Sequence, residues 1–237
     1  MGKRLVQQAR GRGGPTYRAP SFRYVGEAKY NRSLKEGTAK VVDVVHCQGH
    51  TTPLARMAYS NGETGVVIAA DNLRVGTEIE IGSKAPIETG NVLPLESIPE
   101  GTLIFNIEAR PGDGGKFVRC SGTFAKVLSK LKEGVIVQLP SKKKKTFNPL
   151  CRASIGNCAA GGRVDKPFVT AGNKYYYMKA RNKLWPLVAG VARNAIDHPF
   201  GGSSTHHKGR PTTAPRNASP GRNVGLIHAR RTGRKKR

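Results

Sequence analysis

"KVVDVVHC" (Lys40–Cys47) is rich in β-branched residues with polar interruptions, the composition of a strand. Five similar stretches follow: "TGVVIAA" (Thr64–Ala70), "TEIEIG" (Thr77–Gly82), "TLIFNIEA" (Thr102–Ala109), "KFVRCSG" (Lys116–Gly122) and "GVIVQL" (Gly134–Leu139). Turn signals such as "SNGE", "PEG" and "PGDGG" separate them. Many short strands at near-regular spacing predict an all-β protein built of small barrels or sandwiches. "KAPIETGNVLPLESIPEG" is punctuated by Pro and Gly and poor in periodicity, which predicts a domain boundary near Gly90. No fixed-period repeat is visible.

Charge divides the chain differently. The 237 residues hold 41 Lys plus Arg against 15 Asp plus Glu, a formal net of +26. Residues 41–140 carry nine basic and eleven acidic residues. Residues 1–40 carry ten basic and two acidic, and 141–200 carry twelve basic and two acidic. The last segment, 201–237, has ten basic residues and no acidic one. A compact body with this charge repels itself unless a partner supplies counter-charge. The pattern is the electrostatic signature of a polyanion binder. Segment 201–237 has three large aliphatics, Val224, Leu226 and Ile227. Alone it cannot bury enough surface to offset its ordering entropy, so disorder is expected there and in roughly the first 35 residues. "NKYYYMKARNKLW" (Asn173–Trp185) fits either a short basic helix with an aromatic face or an extended strand. Its tyrosines suit stacking on bases or filling a core, with Lys179, Arg181 and Lys183 beside them.

The four cysteines, Cys47, Cys120, Cys151 and Cys158, read as reduced thiols of a cytosolic protein. No apolar h-region follows the basic start, and no run approaches the ~20 apolar residues of a membrane span. "HCQGH" gives His46, Cys47 and His50, and Cys151 lies seven positions before Cys158. Neither group has the doubled Cys spacing of structural zinc. The glycine clusters in "ARGRGGPTYR" and "RPGDGGKF" match no phosphate-cradling nucleotide motif. "SKKKKT" (Ser141–Thr146) follows a strand and suits either a solvated turn or phosphate contact.

"NAIDHPFGGSSTHHKGR" (Asn194–Arg210) has the residue types of a hydrolase, a metal site or a loop folded on a polyanion. Adjacent Asp197 and His198 side chains usually diverge, and no acidic residue follows them, so no triad is supplied. Gly and small hydroxyls let a backbone lie close to phosphates. We read the stretch as a loop folded on RNA. No helix-turn-helix, zinc-finger or basic-zipper pattern is present, and basic segments can order on folded RNA.

This stretch, with "IPEGTLIFNIEARPGDGGKFVRCSG" and "LCRASIGN" before it, resembles the universal large-subunit ribosomal protein L-two family. The likeness runs from about Gly11 to Arg231 and is closest to the archaeal and eukaryotic branch. It implies an OB-like barrel at 36–90 and an SH3-like barrel at 91–175. Basic extensions at 1–35 and 176–237 would penetrate RNA toward the catalytic centre. It implies a primary binder of large-subunit rRNA, with other large-subunit proteins as neighbours and the small subunit across a bridge. Roles in subunit association, tRNA binding and peptidyl-transferase architecture follow, with no catalysis by the protein and no membrane. No cofactor is implied; any magnesium would be held by surrounding rRNA. His198 matches the family's "DHP" histidine, and Arg152 matches an RNA-binding arginine. Phe200 stands where the bacterial pattern has a second histidine. His46 and Cys47 stand near a bacterial Lys-Arg pair, so that RNA contact is not carried over.

The expected RNA-contact residues are Arg10, Arg12, Arg18, Arg23, Lys142, Lys143, Arg152, Arg181, Arg193, Asn194, His198, Gly201, Gly202, His206, His207, Lys208, Arg210, Arg216, Arg222, Arg230 and Arg231. Two alternatives come from other classes. One is a metal-dependent hydrolase using His198, His206 and His207. The other is a free single-strand-binding OB protein working through residues 36–90.

Overall fold

The computed structural model describes residues 5, 12–131 and 133–233. Arg10 lies outside the described residues. Residues Ser21–Asn173 form one compact unit; the described residues of Met1–Pro20 with those of Lys174–Arg237 form another.

The larger unit is all-β. Its strands are β1 (Gly37–Val45), β2 (Leu54–Tyr59), β3 (Thr64–Ile68), β4 (Glu78–Ile81), β5 (Val92–Pro94), β6 (Leu103–Phe105), β7 (Ala125–Leu131), β8 (Gly134–Gln138), β9 (Lys144–Phe147) and β10 (Arg152–Ile155). They join one ten-stranded sheet in the order β3-β2-β1-β4-β5-β10-β6-β7-β8-β9. Neighbours are antiparallel except β4 and β5, which meet in parallel at Ile81 and Val92. Register shifts interrupt β1–β2 between Val41 and Asp43, and β7–β8 between Val127 and Ser129. Such irregularities bend a strand and increase its twist.

Two hydrophobic clusters change over within β5. Val92 packs with Val41, Met57, Ile79 and Ile81. Its neighbour Leu93 packs with Ile104, Val127, Val137 and Phe147. Successive strand side chains point to opposite faces, so one short strand serves both cores. It lies in the stretch where the sequence suggests only a boundary.

Several strand expectations need correction. Thr102–Ala109 is a strand only over Leu103–Phe105, because Asn106 turns to φ 49°. Lys116–Gly122 forms no named strand; Phe117 bridges Ile107, and Val118 sits at φ 54°. Left-handed backbone at those two residues breaks the pleat. The "KKKK" run is half turn and half edge strand. Lys142 takes φ 63° in the turn, and β9 carries exposed Lys144 and Lys145 at the sheet's end, where lysine discourages pairing with another chain.

The amino-terminal arm, expected to lack a core as far as residue 35, joins the sheet earlier. Ala28 and Tyr30 are buried. The Lys29 N–H donates to Val66 O at 2.9 Å, and the Tyr30 N–H to Gly114 O at 3.1 Å. Tyr30 Oη meets Ser154 Oγ at 2.7 Å. This packing needs partners distant in sequence, which a charge count does not show.

Asn173–Trp185 is helical only as far as Ala180, within α1 (Ala171–Ala180), which has no buried residue and passes from the larger unit into the second after Asn173. Arg181, just past the helix end, lies 3.9 Å from the Tyr177 ring centroid, and Lys179 lies 5.9 Å from that of Tyr175, so each ring meets the cation four positions on. Asn182 at φ 49° ends the helix, and the Lys183 N–H donates back to Met178 O at 2.8 Å. Phe200 and Val224 are buried with Leu5 in a small cluster. β11 (Thr213–Ala214) and β12 (Leu226–Ile227) pair in parallel. Among the described residues, no helix is long and apolar enough to cross a membrane.

All strands of the ten-stranded sheet end before residue 156. Deleting residues 201–237 is therefore expected to preserve its far-UV circular dichroism and cooperative melting. Loss of the β signal in the truncated protein would contradict this division.

Candidate nucleic-acid interface

Arg152 opens β10 and lies at the centre of an internal network. Its Nε and Nη2 donate to Glu108 Oε1 at 3.3 and 3.1 Å. Its Nη1 donates to Asn31 O and Leu34 O at 2.9 and 3.2 Å. The guanidinium carbon is 5.4 Å from the Tyr30 ring centroid. Glu108 is fully buried. Its Oε2 accepts the Arg152 and Gly112 backbone N–H groups at 2.9 and 3.2 Å, and its Oε1 accepts that of Gly114 at 3.1 Å. A buried carboxylate tolerates such a site when every lone-pair direction has a donor. Arg152 has ~5 N–H donors on its guanidinium, and most are committed to the protein. The geometry shows it fastening residues 31–34 and the 108–114 loop to β10.

The loop at Asn194–Gly202 folds on itself. Asn194 O accepts the Asp197 and His198 N–H groups at 2.9 and 3.1 Å. Gly201 N–H donates to His198 O at 3.0 Å, and Gly202 N–H to Arg193 O at 3.2 Å. His198 is buried, and its Nδ1 accepts the Phe200 N–H at 3.1 Å. The two rings stand 5.1 Å apart. Burial first, and the Arg193 charge second, hold the imidazole below its ordinary pKa. The neutral ring with Nδ1 as acceptor therefore carries its proton on Nε2. A Cβ on Gly190 would strike this ring, so the close approach requires glycine there. Ser203 Oγ and Thr205 Oγ1 hydrogen-bond each other at 3.0 Å. His198 thus shapes the loop.

The other expected contacts are mostly on the surface. Arg12, Arg18, Arg23, Lys142, Lys143, Asn194, Gly202, His206, His207, Lys208, Arg210, Arg216, Arg222, Arg230 and Arg231 are exposed, while Arg181, Arg193 and Gly201 are half-buried. Arg193 donates through Nη2 to Val188 O at 3.1 Å. Among the described residues, no three His, Cys, Asp or Glu side chains converge as a metal-binding group. His50 Nδ1 contacts buried Cys47 Sγ at 3.2 Å. Burial pushes the thiols of Cys151 and Cys158 up to about 11 and 12, so both stay protonated and unreactive at neutral pH.

The model of the family described as "Ribosomal Proteins L2, C-terminal domain" matches residues 88–219. A protein named large ribosomal subunit protein uL2 from Methanothermobacter thermautotrophicus is 51% identical over 241 residues, covering 100% of both chains. One of the same name from Archaeoglobus fulgidus is 52% identical, covering 98% of this chain and 99% of its own. The chain belongs to the ribosomal protein L2 family. Members of this family are structural components of the large subunit of the cytoplasmic ribosome, and they are not enzymes. Membership also associates the chain with large-subunit rRNA and its proteins. The reading as a metal-dependent hydrolase using His198, His206 and His207 is therefore set aside.

Sequence reasoning missed Glu108, Asn31, Leu34 and Gly190. A lone acid in the apolar run "TLIFNIEA" is the available signal for Glu108. Nothing local marks the other three.

Removing either partner of the Glu108–Arg152 pair leaves a buried charge unmatched. Glu108→Ala or Arg152→Ala should cost ~3–5 kcal/mol in urea unfolding; a loss under ~1 kcal/mol would contradict the network. His198 favours the neutral form when folded, so its contribution is complete above its unfolded value of ~6.5 and is lost as pH falls below that toward the lowered folded value. The Phe200 amide resonance should move with this titration. A His198 ring titrating at or above its ordinary value would show the loop geometry to be wrong.

Proposed function

We propose that the chain is a non-catalytic scaffold that docks on large-subunit rRNA and neutralises phosphates with its basic arms. The charge distribution carries the proposal. Segment 201–237 holds ten basic residues and no acidic one, and Lys208, Arg210, Arg216, Arg222 and Arg230 are exposed. The segment contains no acidic side chain to neutralise them, and phosphates are the matching chemistry.

On this account the β halves at 36–90 and 91–175 are the OB-like and SH3-like barrels, with 24–34 packed into the same unit. The arms comprise the earlier amino-terminal residues and 176–237. Lys142 and Lys143 meet phosphates from the β8–β9 turn. The Asn194–Gly202 loop presents its backbone to RNA, with His198 holding its shape. Arg152 supports RNA binding by placing the 31–34 segment. Magnesium at the interface is held by the RNA. The scaffold contacts other large-subunit proteins and reaches the small subunit across a bridge. It supports subunit association, tRNA binding and the architecture near the peptidyl transferase centre.

If ~6–10 phosphates are neutralised, affinity for large-subunit rRNA should fall ~10³–10⁵-fold between 50 and 200 mM salt. In a lysate separated on a sucrose gradient at low magnesium, the chain should travel stoichiometrically with the large subunit through moderate salt. Migration at the top of the gradient, or a salt-insensitive complex, would overturn the proposal.

A further inference from the structure

The unit formed by 1–20 and 174–237 contains an open cleft of about 430 Å³, within the ~300–1,000 Å³ range of small-molecule sites. Three aromatic side chains line it: Tyr17, Tyr175 and Trp185. Three cations, Arg18, Lys179 and Lys183, line it too, and among the described residues no carboxylate does. Tyr175 is 42% exposed, so its ring is not consumed by a core. Arg18 is steadied by its Nε, which donates to Gly13 O at 2.6 Å. The Lys174 ammonium stands 4.0 Å from the Trp185 ring centroid.

Flat π faces beside cations, without an acid, match one ligand chemistry: a base attached to a phosphate. An acidic peptide would satisfy the cations but leave the three rings without flat partners. We infer that this cleft binds a single unpaired nucleotide of large-subunit rRNA, its base against the Tyr175 and Trp185 rings and its phosphate among Arg18, Lys179 and Lys183. This rests on the scaffold proposal and assigns one of its contacts to stacking. The expected RNA contacts in the arms include Arg18 but neither Tyr17 nor Trp185, and nothing in the sequence joins residues 17–18 to 175–185. A stacked base is held by a force that salt barely screens, so this contact anchors the arms where phosphate contacts alone would slide.

Trp185 is the sole tryptophan, so its emission reports on the cleft. Full-length RNA-free protein is titrated with large-subunit rRNA, with a fully paired RNA duplex and with AMP, while binding is followed separately by filter retention. The inference expects rRNA to quench Trp185 and shield it from acrylamide, and the paired duplex to bind without quenching. AMP should quench only at far higher concentration, and rRNA should displace it. Tyr175→Leu should weaken rRNA binding roughly 5- to 150-fold with an unchanged salt slope, whereas Lys179→Gln should make that slope shallower. α1 has no buried residue, so neither change is expected to disturb folding, and circular dichroism checks this. If rRNA binds but leaves Trp185 unaffected, and Tyr175→Leu binds as the parent does, the cleft assignment falls and the scaffold proposal stands. If AMP saturates the cleft and rRNA does not displace it, the occupant is a free nucleotide and the RNA assignment falls. If rRNA fails to bind at all, the scaffold proposal falls first.

Discussion

The larger unit depends on one buried ion pair. Glu108 lies without solvent contact, and Arg152 answers it through Nε and Nη2. Neither group would be stable there without the other. Because the guanidinium is a planar fork, the same side chain also reaches Asn31 O and Leu34 O. A lysine at this position has its three donors on one nitrogen and lacks the planar fork that spreads these bonds over three. The pair therefore does what hydrophobic contact does poorly: it fixes which backbone atoms meet.

Around it, the sheet solves a packing problem with little material. β5 has three residues, yet Val92 belongs to one core and Leu93 to the other. Tyr30 reaches the same neighbourhood from the amino-terminal side and bonds Ser154 on β10. Burial pushes its phenol pKa well above the ordinary range, so it stays a neutral hydrogen-bonding group. Tyr30 and Ser154 thus satisfy one another at the junction.

The second unit follows different physics. Its apolar cluster is small, centred on Leu5, Phe200 and Val224. Its order comes from local devices: cation–aromatic pairs along α1, a left-handed residue ending that helix, and a histidine locked inside its own loop. Such devices hold a shape open to a partner without supplying a large core. That suits surfaces dense in Lys and Arg, whose mutual repulsion a polyanion relieves.

The sequence alone determined the all-β class, the near-neutral centre between basic ends, and the family to which the chain belongs. Those properties are local or compositional: β-branched runs, turn residues, charge per segment, and motifs such as "DHPFGG". It did not determine strand limits at Asn106 and Val118, because left-handed backbone is set by surrounding packing. It left "NKYYYMKARNKLW" undecided, since exposed aromatic and basic residues suit either conformation until their neighbours are known. It suggested Arg152 as a contact for RNA, and it gave no sign that the same guanidinium bonds Glu108, Asn31 and Leu34. Only tertiary structure could show these partners. They lie 44 to 121 positions away in the chain, and a charge reads alike in sequence whether or not a buried carboxylate stands beside it.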